Sequence, residues 1–402
     1  MGYEIDFIAV GDASRSGDAI ALRYGNLHGA RYEQTVVVID GGTQESGQKL
    51  VQHVRTYYGT NVVDYAISTH PDCDHVSGLK VVVGEMDVRS LLMHKPWERA
   101  SSIRKVLDDR RFTTAGIESR LESALETASE LEDLATQRKI PITEPFAGMH
   151  TQDESLLFLG PSEDYYNALV CQFLDAPAAN PPYGGLFAAA ARASAPPRSP
   201  YGNLFAAARS AATTPTPYGS LASLFMQPPN QPSAPTSLLS LLAPAKSSPG
   251  TYETVEIETL TDDSVTSPAN SSSTILLFRA DGHSILLTGD AGVEALMHAA
   301  DYAQRRGIST TGLQFWQVPH HGSERNLGPS VLRRIGGTVA FISAARCGAP
   351  KHPAKRVTNA LQRRGTRVYS TCGTNIWHSL DAPARLGYGP IEPIPFHNYV
   401  GE

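Results

Sequence analysis

The sequence has few cysteines and lacks the patterns that stabilise extracellular proteins. Its 402 residues include four cysteines, at positions 73, 171, 347 and 372, and their spacing matches neither a structural zinc site nor a disulfide framework. Such usage is typical of a reducing compartment. No N-terminal stretch combines basic residues with an apolar segment, and no apolar run approaches the roughly 18 residues of a membrane span. We therefore expect a cytoplasmic protein that does not enter a membrane.

Charged residues are also scarce, at 18% of the chain, and the formal net charge is −6 at pH 7. A surface with this balance lacks the positive field of a protein that coats duplex nucleic acid. Basic residues do concentrate late in the sequence, where residues 351–367 read KHPAKRVTNALQRRGTR. Solvated helix faces are one interpretation of this segment, and a local patch that guides a polyanion is the other.

Two common catalytic motifs are absent as well. The sequence contains no G-x-S-x-G turn, which would present a serine nucleophile, and no G-x-x-x-x-G-K-[ST] loop, which would bind nucleoside triphosphates. Covalent serine catalysis and P-loop chemistry therefore have no support in this sequence.

The chain does contain alternating strand-like and helix-like segments. Runs rich in β-branched and aromatic residues, such as YEIDFIAV, TVVVIDGG and VVDYAISTH, are separated by glycine-bearing turns. Apolar residues recur at helical spacing over 116–139, which predicts one amphipathic surface helix. Later, ILLFRADGHSILL predicts a β-hairpin with its turn at Asp281-Gly282. The predicted fold class is α/β.

Residues 175–269 differ in composition from the rest of the chain. Alanine, proline, serine and threonine dominate there, so the segment cannot bury enough apolar surface to offset the entropy of ordering. We predict a disordered insertion between two halves of one domain, 1–174 and 270–402. A Pro-Tyr-Gly-x-Leu unit begins at positions 182, 200 and 217 within it. These PYGxL repeats are either drift in a tolerated loop or anchors for a protein partner.

Residues of metal-ligand type collect at the ends of predicted strands. The stretch STHPDCDHVSGL at 68–79 places two histidines and two aspartates directly after a buried strand, and later strand ends deliver Asp290, His320, His321 and His352. Imidazole and carboxylate groups are the ligands of hydrolytic divalent metals, and carboxylates can bridge two ions. A solvated charged loop would explain the first cluster alone, but not the return of the same residue types later. The sequence therefore predicts a metal site.

The cluster resembles the H-x-H-x-D-H motif of the metallo-β-lactamase fold, with aspartate in the second histidine position. Together with GDAIAL, VVVIDGG, NSSSTILLF, LLTGDA and VPHHGS, it is similar to the hydrolase domain of the ComEC competence proteins, over about residues 5–175 and 270–378. The resemblance implies a metallo-β-lactamase-like αββα sandwich, interrupted by the low-complexity insertion, and two divalent ions, zinc or manganese. Aspartate at position 72 shifts the donors towards oxygen and favours Mn²⁺.

The same resemblance assigns roles to individual residues. The metal ligands it implies are His70, Asp72, Asp74, His75, Asp290 and His321. Asp290 would bridge the ions, Asp74 would orient the attacking water, and His320 would contact the substrate or transfer a proton. The residues expected to line or support the site are Asp40, Asn270 and His352. Asn270 occupies the region where many family members supply a further histidine, for which His150 is a weak substitute.

These parts together indicate a dinuclear hydrolase. Two ions would lower the pKa of a shared water, so that a metal-bridged hydroxide attacks near neutral pH. The carboxylate-rich donors favour a phosphodiesterase or nuclease with a nucleic acid or nucleotide substrate, and a groove lined by Arg356, Arg363 and Arg364 would favour a polymer. The same metals could hydrolyse a small carbon ester, lactone or thioester. A third hypothesis is a partner-recruiting module of a defence or DNA-uptake system.

Overall fold

The computed structural model describes residues 1–11, 16–106, 113–173, 260–346, 351–386 and 388–400. The segment predicted as an insertion lies outside the described residues up to position 259, and so do the PYGxL repeats. The described chain resumes at Leu260, within the segment predicted as an insertion. Leu260 is buried, and the Asp262 carboxylate accepts hydrogen bonds from the backbone N–H and the hydroxyl of Ser330 at 3.0 and 2.7 Å.

Strands and helices alternate along the described chain. The strands are β1 (Gly2–Phe7), β2 (Ala19–Gly25), β3 (Gln34–Gly41), β4 (Val62–Val63), β5 (Tyr65–Ile67), β6 (Asp87–Val88), β7 (Leu91–Leu92), β8 (Ile142–Thr143), β9 (Leu156–Gly160), β10 (Ile275–Ala280), β11 (His283–Leu287), β12 (Thr311–Leu313), β13 (Phe315–Gln317), β14 (Gly336–Gly337), β15 (Val339–Ile342), β16 (Arg367–Ser370) and β17 (Ile376–Leu380). The helices are α1 (Gln44–Tyr57), α2 (Cys73–Glu85), α3 (Ala100–Val106), α4 (Thr114–Ala124), α5 (Glu126–Gln137), α6 (Glu163–Phe173), α7 (Pro268–Ser271), α8 (Val293–Arg305), α9 (Pro329–Arg334) and α10 (Lys355–Arg363). None of the helices in the described parts of the chain has the length and hydropathy of a membrane span.

Two large mixed sheets form the centre of the fold. The first has the strand order β17-β1-β2-β3-β5-β7-β8, and the second has the order β16-β15-β13-β11-β10-β9. In the first sheet β3, β5, β7 and β8 run parallel, and in the second β11, β13, β15 and β16 do. The loops that follow parallel strands collect at one edge of a sheet, where binding and catalytic residues are commonly placed.

The two sheets pack face to face, with helices on their outer faces. The inner core includes Phe7, Ile39, Phe278 and Phe341, drawn from both sheets. Buried residues of α1, α2 and α5 pack on the first sheet, and those of α8, α9 and α10 pack on the second. Full burial of an isoleucine or phenylalanine side chain in this core stabilises the fold by about 1.5–3 kcal/mol. The α/β prediction is confirmed, and the layers form an αββα sandwich.

Two segments that were predicted as single elements are each divided. The run VVDYAI forms β4 and β5, because the Asp64 carboxylate between them accepts the N–H of Val36 and pairs with Arg31, both at 2.8 Å. The helix predicted over 116–139 is two helices, α4 and α5, which meet at Leu125 with φ −120° and ψ 37°. α4 packs on the turn Pro96–Arg99, whereas α5 packs on α2. Periodicity marks the buried face of a helix but not a change of packing partner.

The predicted hairpin at Asp281-Gly282 is confirmed. β10 and β11 are antiparallel, with Ala280 opposite His283, so two residues form the turn. Both have positive φ, 48° and 76°, as a type I′ turn requires. The hairpin fixes the register of β11 and thereby the position of Asp290 beyond its end.

Candidate metal centre

Most of the residues expected to bind metal converge on the side chain of Asp290, which is 3% exposed. Its Oδ2 atom faces the Nε2 atoms of four imidazoles, at 3.8 Å from His70, 3.5 Å from His75, and 3.6 Å from both His320 and His321. Ring nitrogens grouped around a carboxylate oxygen in this way form a donor set for a cation.

Three of these ring nitrogens are buried without a hydrogen-bond partner: Nε2 of His70, His75 and His321. Nδ1 of His75 lies 2.8 Å from Asp40 Oδ2, and Nδ1 of His321 lies 2.9 Å from the carbonyl oxygen of Ser343. A carbonyl can only accept, so Nδ1 of His321 carries the proton and its Nε2 keeps the lone pair. Buried polar atoms are normally paired. The three nitrogens therefore fit a divalent metal ion.

Asp72 and Asp74 bring two further carboxylates to the start of α2. Asp72 Oδ2 lies 3.6 Å from His70 Nε2, and its side chain is 39% exposed. Ligand atoms of Asp74, His75 and His321 lie within 4.8 Å of one another. One group of donors thus contains His70 and Asp72, and a second contains Asp74, His75 and His321. Asp290 Oδ2 lies within 3.8 Å of Nε2 of the histidines in both groups.

Asp40 lies beneath the loop that carries the first motif. Its carboxylate accepts hydrogen bonds from the backbone N–H and the hydroxyl of Thr69, at 2.8 and 2.6 Å, and also faces Nδ1 of His75. The residue has φ +53°, a left-handed conformation that is held by these contacts. In this arrangement Asp40 orients the imidazole of His75 from behind, as an outer support of the centre.

His320 is the most exposed of the four histidines, with 31% of its side chain accessible. Its Nδ1 donates to Asn326 Oδ1 at 2.9 Å, and Asn326 Nδ2 donates to the backbone carbonyl of Asp290 at 2.8 Å. Asn270 Nδ2 lies 3.4 Å from His320 Nδ1, and the ring centroid of His352 lies 5.9 Å from that of His320. The structure therefore places Asn270 and His352 at the edge of the centre.

Burial and mutual interactions shift the pKa values of the central groups. Burial alone would raise the pKa of Asp290, but the imidazoles of His321, His75 and His320 hold it well below its usual range. Burial lowers the pKa of His321 to about 4, with smaller contributions from His75 and His320 and against the pull of Asp290. His321 is therefore neutral near pH 7, which is the form that binds a metal.

Asp18 also reaches the centre, although the sequence did not single it out. It is 1% exposed, and its ligand atoms lie within 4.8 Å of those of Asp290 and His321. Burial raises its pKa to about 7; His75 opposes that shift, and the carboxylates of Asp290 and Asp40 add to it. The available signal was its position within GDAIAL, directly before a buried strand. Asn326 is a second unpredicted residue, and no sequence pattern marks it.

His150 lies outside the cluster. It is exposed and forms an isolated bridge with Leu157 in β9, and its Nδ1 lies 2.9 Å from the backbone carbonyl of Thr151. Its contacts give it no part in the centre.

The three arginines expected to line a groove are spread along α10, which begins beside the loop with the histidine pair. Arg356, in the first turn, lies 3.6 Å from Glu324. The guanidinium of Arg363 lies 5.4 Å from the ring centroid of Phe396, and Arg364 donates to a backbone carbonyl in its own helix. Arg363 stands about 12 Å further along the helix axis than the first residue of α10.

Comparison with known proteins agrees with this geometry. Residues 30–134 match the sequence model of the metallo-beta-lactamase superfamily. The chain is 36% identical over 91 residues to the uncharacterized protein YcaI of Escherichia coli strain K12, a match that covers 22% of this chain and 11% of that protein. The chain thus spans about a tenth of the length of this relative.

Two solved structures are similar to parts of the chain. A candidate metallo-beta-lactamase from Thermotoga maritima shares 11% identity over 39% of this chain and 66% of that one, with a TM-score of 0.25. The metallo-beta-lactamase SMB-1 bound to 2-mercaptoethanesulfonate shares 19% identity over 26% of this chain and 39% of that one, with a TM-score of 0.17. The chain covers less than two thirds of either structure.

The family match covers residues 30–134, and the αββα layers of the fold agree with it. Over residues 30–134 the chain is similar to the metallo-β-lactamase superfamily, and this similarity implies a metal-dependent hydrolase. The His and Asp groups described above are its candidate sites for divalent metal.

Proposed function

We propose that the protein is a dinuclear metal-dependent phosphodiesterase or nuclease, related to the ComEC hydrolase domain and acting in the cytoplasm. The observation that carries the proposal is the carboxylate oxygen of Asp290, which faces four imidazole nitrogens with Asp72 and Asp74 beside it. The carboxylates in this mixed donor set suit ions such as Mn²⁺, which also bind phosphate oxygens. Divalent ions held there would supply a water of lowered pKa and neutralise the charge that develops on a phosphate.

Each half of the chain would contribute to holding the ions. His70 and Asp72 would hold one ion, and Asp74, His75 and His321 would hold the other, with Asp290 available to both. Zn²⁺ and Mn²⁺ are both compatible with this mixture of nitrogen and oxygen donors. The free cysteines Cys73, Cys171 and Cys372 are compatible with the proposed cytoplasmic location.

His320 is proposed to transfer the proton to the leaving group. Because its Nδ1 proton is donated to Asn326, its Nε2 is directed towards Asp290 and the open side of the centre. An imidazole in this position can accept a proton when neutral and deliver it to a leaving oxygen when protonated. Asn326 also holds the backbone carbonyl of Asp290, so one side chain fixes the distance between the proton carrier and the bridging carboxylate.

The substrate would approach from the side on which Asp72 and His320 are accessible. Among the three arginines, Arg356 is the nearest along α10 to the histidine loop, and Arg363 and Arg364 lie at the far end of that helix. These positions favour recognition of a few phosphates close to the centre over a long basic track. Short nucleotides and polymers both belong among the substrates to be tested.

The test is hydrolysis of linear and circular DNA, RNA, cyclic dinucleotides and bis-p-nitrophenyl phosphate in the presence of Mn²⁺, Mg²⁺ or Zn²⁺. We expect metal-dependent cleavage by the wild type and a loss of at least about 100-fold in Asp74→Ala and Asp290→Ala, since each removes a carboxylate that would hold an ion. The matched control is Asp281→Asn in the exposed hairpin turn, which should keep full activity because asparagine favours the positive φ found there.

The alternative function is hydrolysis of a small carbon ester, lactone or thioester. If the wild type binds two metal ions and hydrolyses one of these compounds while every phosphodiester stays intact, the phosphodiesterase assignment is wrong. The ions and their ligands would then serve attack on a carbonyl.

A further inference from the structure

The Gly17-Asp18 dipeptide, directly before β2, is linked to all three segments that carry candidate ligands, directly to one of them and through Gln317 and Ser343 to the other two. The first contact runs through the Asp18 carboxylate, which is almost fully buried and accepts a hydrogen bond from Gln317 Nε2 at 2.6 Å. Gln317 Oε1 in turn accepts the backbone N–H groups of Thr288 and Gly289 at 3.0 and 3.2 Å. These residues form the turn that ends in Asp290, so Asp18 holds the bridging carboxylate through one amide.

The roles of the two amide atoms of Gln317 are fixed by their partners. Two backbone N–H groups can only donate, so they require the oxygen on their side, and the nitrogen must then face Asp18. Both partners of the Asp18–Gln317 hydrogen bond are buried: Gln317 is 2% exposed and Asp18 is 1% exposed. A buried pair with a single allowed orientation sets the distance between β2 in the first sheet and β13 in the second.

The second contact runs through the backbone of Gly17 to His321. Ser343 Oγ donates to the carbonyl oxygen of Gly17 at 2.6 Å, and the carbonyl oxygen of Ser343 accepts from Nδ1 of His321 at 2.9 Å. This second bond leaves Nε2 of His321 directed at Asp290. The orientation of a candidate ligand in the second half is therefore tied to a backbone atom in the first half.

The third contact is a close approach to α2. A Cβ atom on residue 17 would overlap the backbone oxygen of Asp74, so glycine lets the two backbones touch. The next residue, His75, has its Nδ1 3.8 Å from Asp18 Oδ2. Gly17 and Asp18 thus fit against the start of α2, where two candidate ligands lie.

We propose that Gly17-Asp18 is the positioning element that aligns the ligands of the two halves, with the Asp18–Gln317 hydrogen bond as its central link. The inference rests on the proposed metal centre and is independent of the substrate. The dipeptide acts through Gln317, Ser343 and the backbone of Asp74. Its removal should therefore loosen the geometry of the centre and weaken metal binding, as loss of an outer-shell partner typically does by about 10- to 100-fold.

The test exchanges the donor and the acceptor of this link. In Gln317→Glu the new carboxylate still accepts both backbone N–H groups, but it faces the Asp18 carboxylate. The two groups then repel each other unless the pair takes up a proton. Mn²⁺ affinity, measured by isothermal titration calorimetry, should fall about 10- to 100-fold, and the absorption spectrum of the Co²⁺-loaded protein should change. In the double variant Asp18→Asn with Gln317→Glu, the Asn amide donates to the Glu carboxylate, and both readouts should return towards the wild type.

Recovery in the double variant separates positioning from general loss of structure. Asp18→Ala, which removes the acceptor, should weaken Mn²⁺ binding in the same way, and Asp281→Asn should leave it unchanged. Mn²⁺ binding that is equal in the wild type and Gln317→Glu would overturn the positioning role alone. A double variant that regains its thermal stability but not its Mn²⁺ affinity would overturn it too. A wild type that binds neither Mn²⁺ nor Co²⁺ would overturn both this inference and the proposed metal centre.

Discussion

Asn326 is fully buried, and its side-chain amide contacts two groups of the candidate centre. Its oxygen accepts from Nδ1 of His320, and its nitrogen donates to the backbone carbonyl of Asp290. A side-chain amide can accept from an imidazole through its oxygen and donate to a carbonyl through its nitrogen at the same time. Asn326 therefore combines a structural bond with the orientation of the proposed proton carrier.

Replacing Asn326 tests this double role at the scale of one residue. Asn326→Ala should lower kcat for bis-p-nitrophenyl phosphate by about 10- to 100-fold with a smaller change in KM, because the His320 ring loses its orientation. His320→Ala should have a similar effect, and the double variant should be no slower than the slower single variant, since the two residues act as a unit. Asn61→Ala is the control, because Asn61 bonds to Arg55 on α1. Additive losses in the double variant would contradict the shared role.

The same residues show why part of the centre could be predicted and part could not. His70, Asp72, Asp74 and His75 lie within six residues, so their spacing alone reveals them. Asn326 contacts His320, six residues before it, and the backbone of Asp290, 36 residues before it, and the two bonds arise together only when the strand ends meet. Such tertiary contacts leave no periodic pattern. They have to be observed in the fold.

Helix α2 brings Asp74 and His75 to the centre, and its position depends on a backbone contact. A Cβ atom on Gly78 would overlap the backbone oxygens of Gly41 and Thr43, so the helix lies directly against the end of β3 and the start of α1. Gly84, six residues further along α2, is exposed, and a Cβ there would meet its nearest atom at 4.0 Å. In the sequence the two glycines look alike, whereas the structure shows that Gly78 is a packing contact and Gly84 is not.

These glycines form a matched pair for a test at the scale of one element. Gly78→Ala should destabilise the protein by about 1–3 kcal/mol or more, because the helix must move away from β3. It should also weaken metal binding, since Asp74 and His75 move with the helix. Gly84→Ala should instead stabilise the protein by about 0.5–1 kcal/mol, the usual gain for alanine at an exposed helical position. Urea unfolding measures the free energy of unfolding of each variant. Equal changes in the two variants would contradict the packing role of Gly78.

For the whole molecule, the centre joins the two parts of the chain that flank residues 174–259. The first part contributes the histidines and aspartates around α2, and the second contributes Asp290 and the histidine pair. Resemblance to a known fold predicted this convergence and the αββα layers. It gave no account of Gly17-Asp18, because a hydrogen bond between β2 and β13 depends on how the sheets are stacked and not on local sequence. A bound ion would therefore act as a cross-link between the halves.

Metal removal tests this cross-link, through the change in Tm that a bound ion produces. A metal ion present at a concentration 100 times its Kd should raise the free energy of unfolding by about 2.7 kcal/mol. This appears as a rise in Tm that EDTA reverses.

The pH dependence of this rise follows from His75. Burial lowers the pKa of His75, but Asp290 and Asp40 together raise it well above its usual value, so a metal must displace a proton from this ring. Protons compete better at low pH, and the rise in Tm should be smaller at pH 5.5 than at pH 8. Asp290→Ala should abolish the rise at both values, whereas Asp281→Asn should retain it. A metal-induced rise in Tm that survives in Asp290→Ala would place the ion elsewhere in the protein.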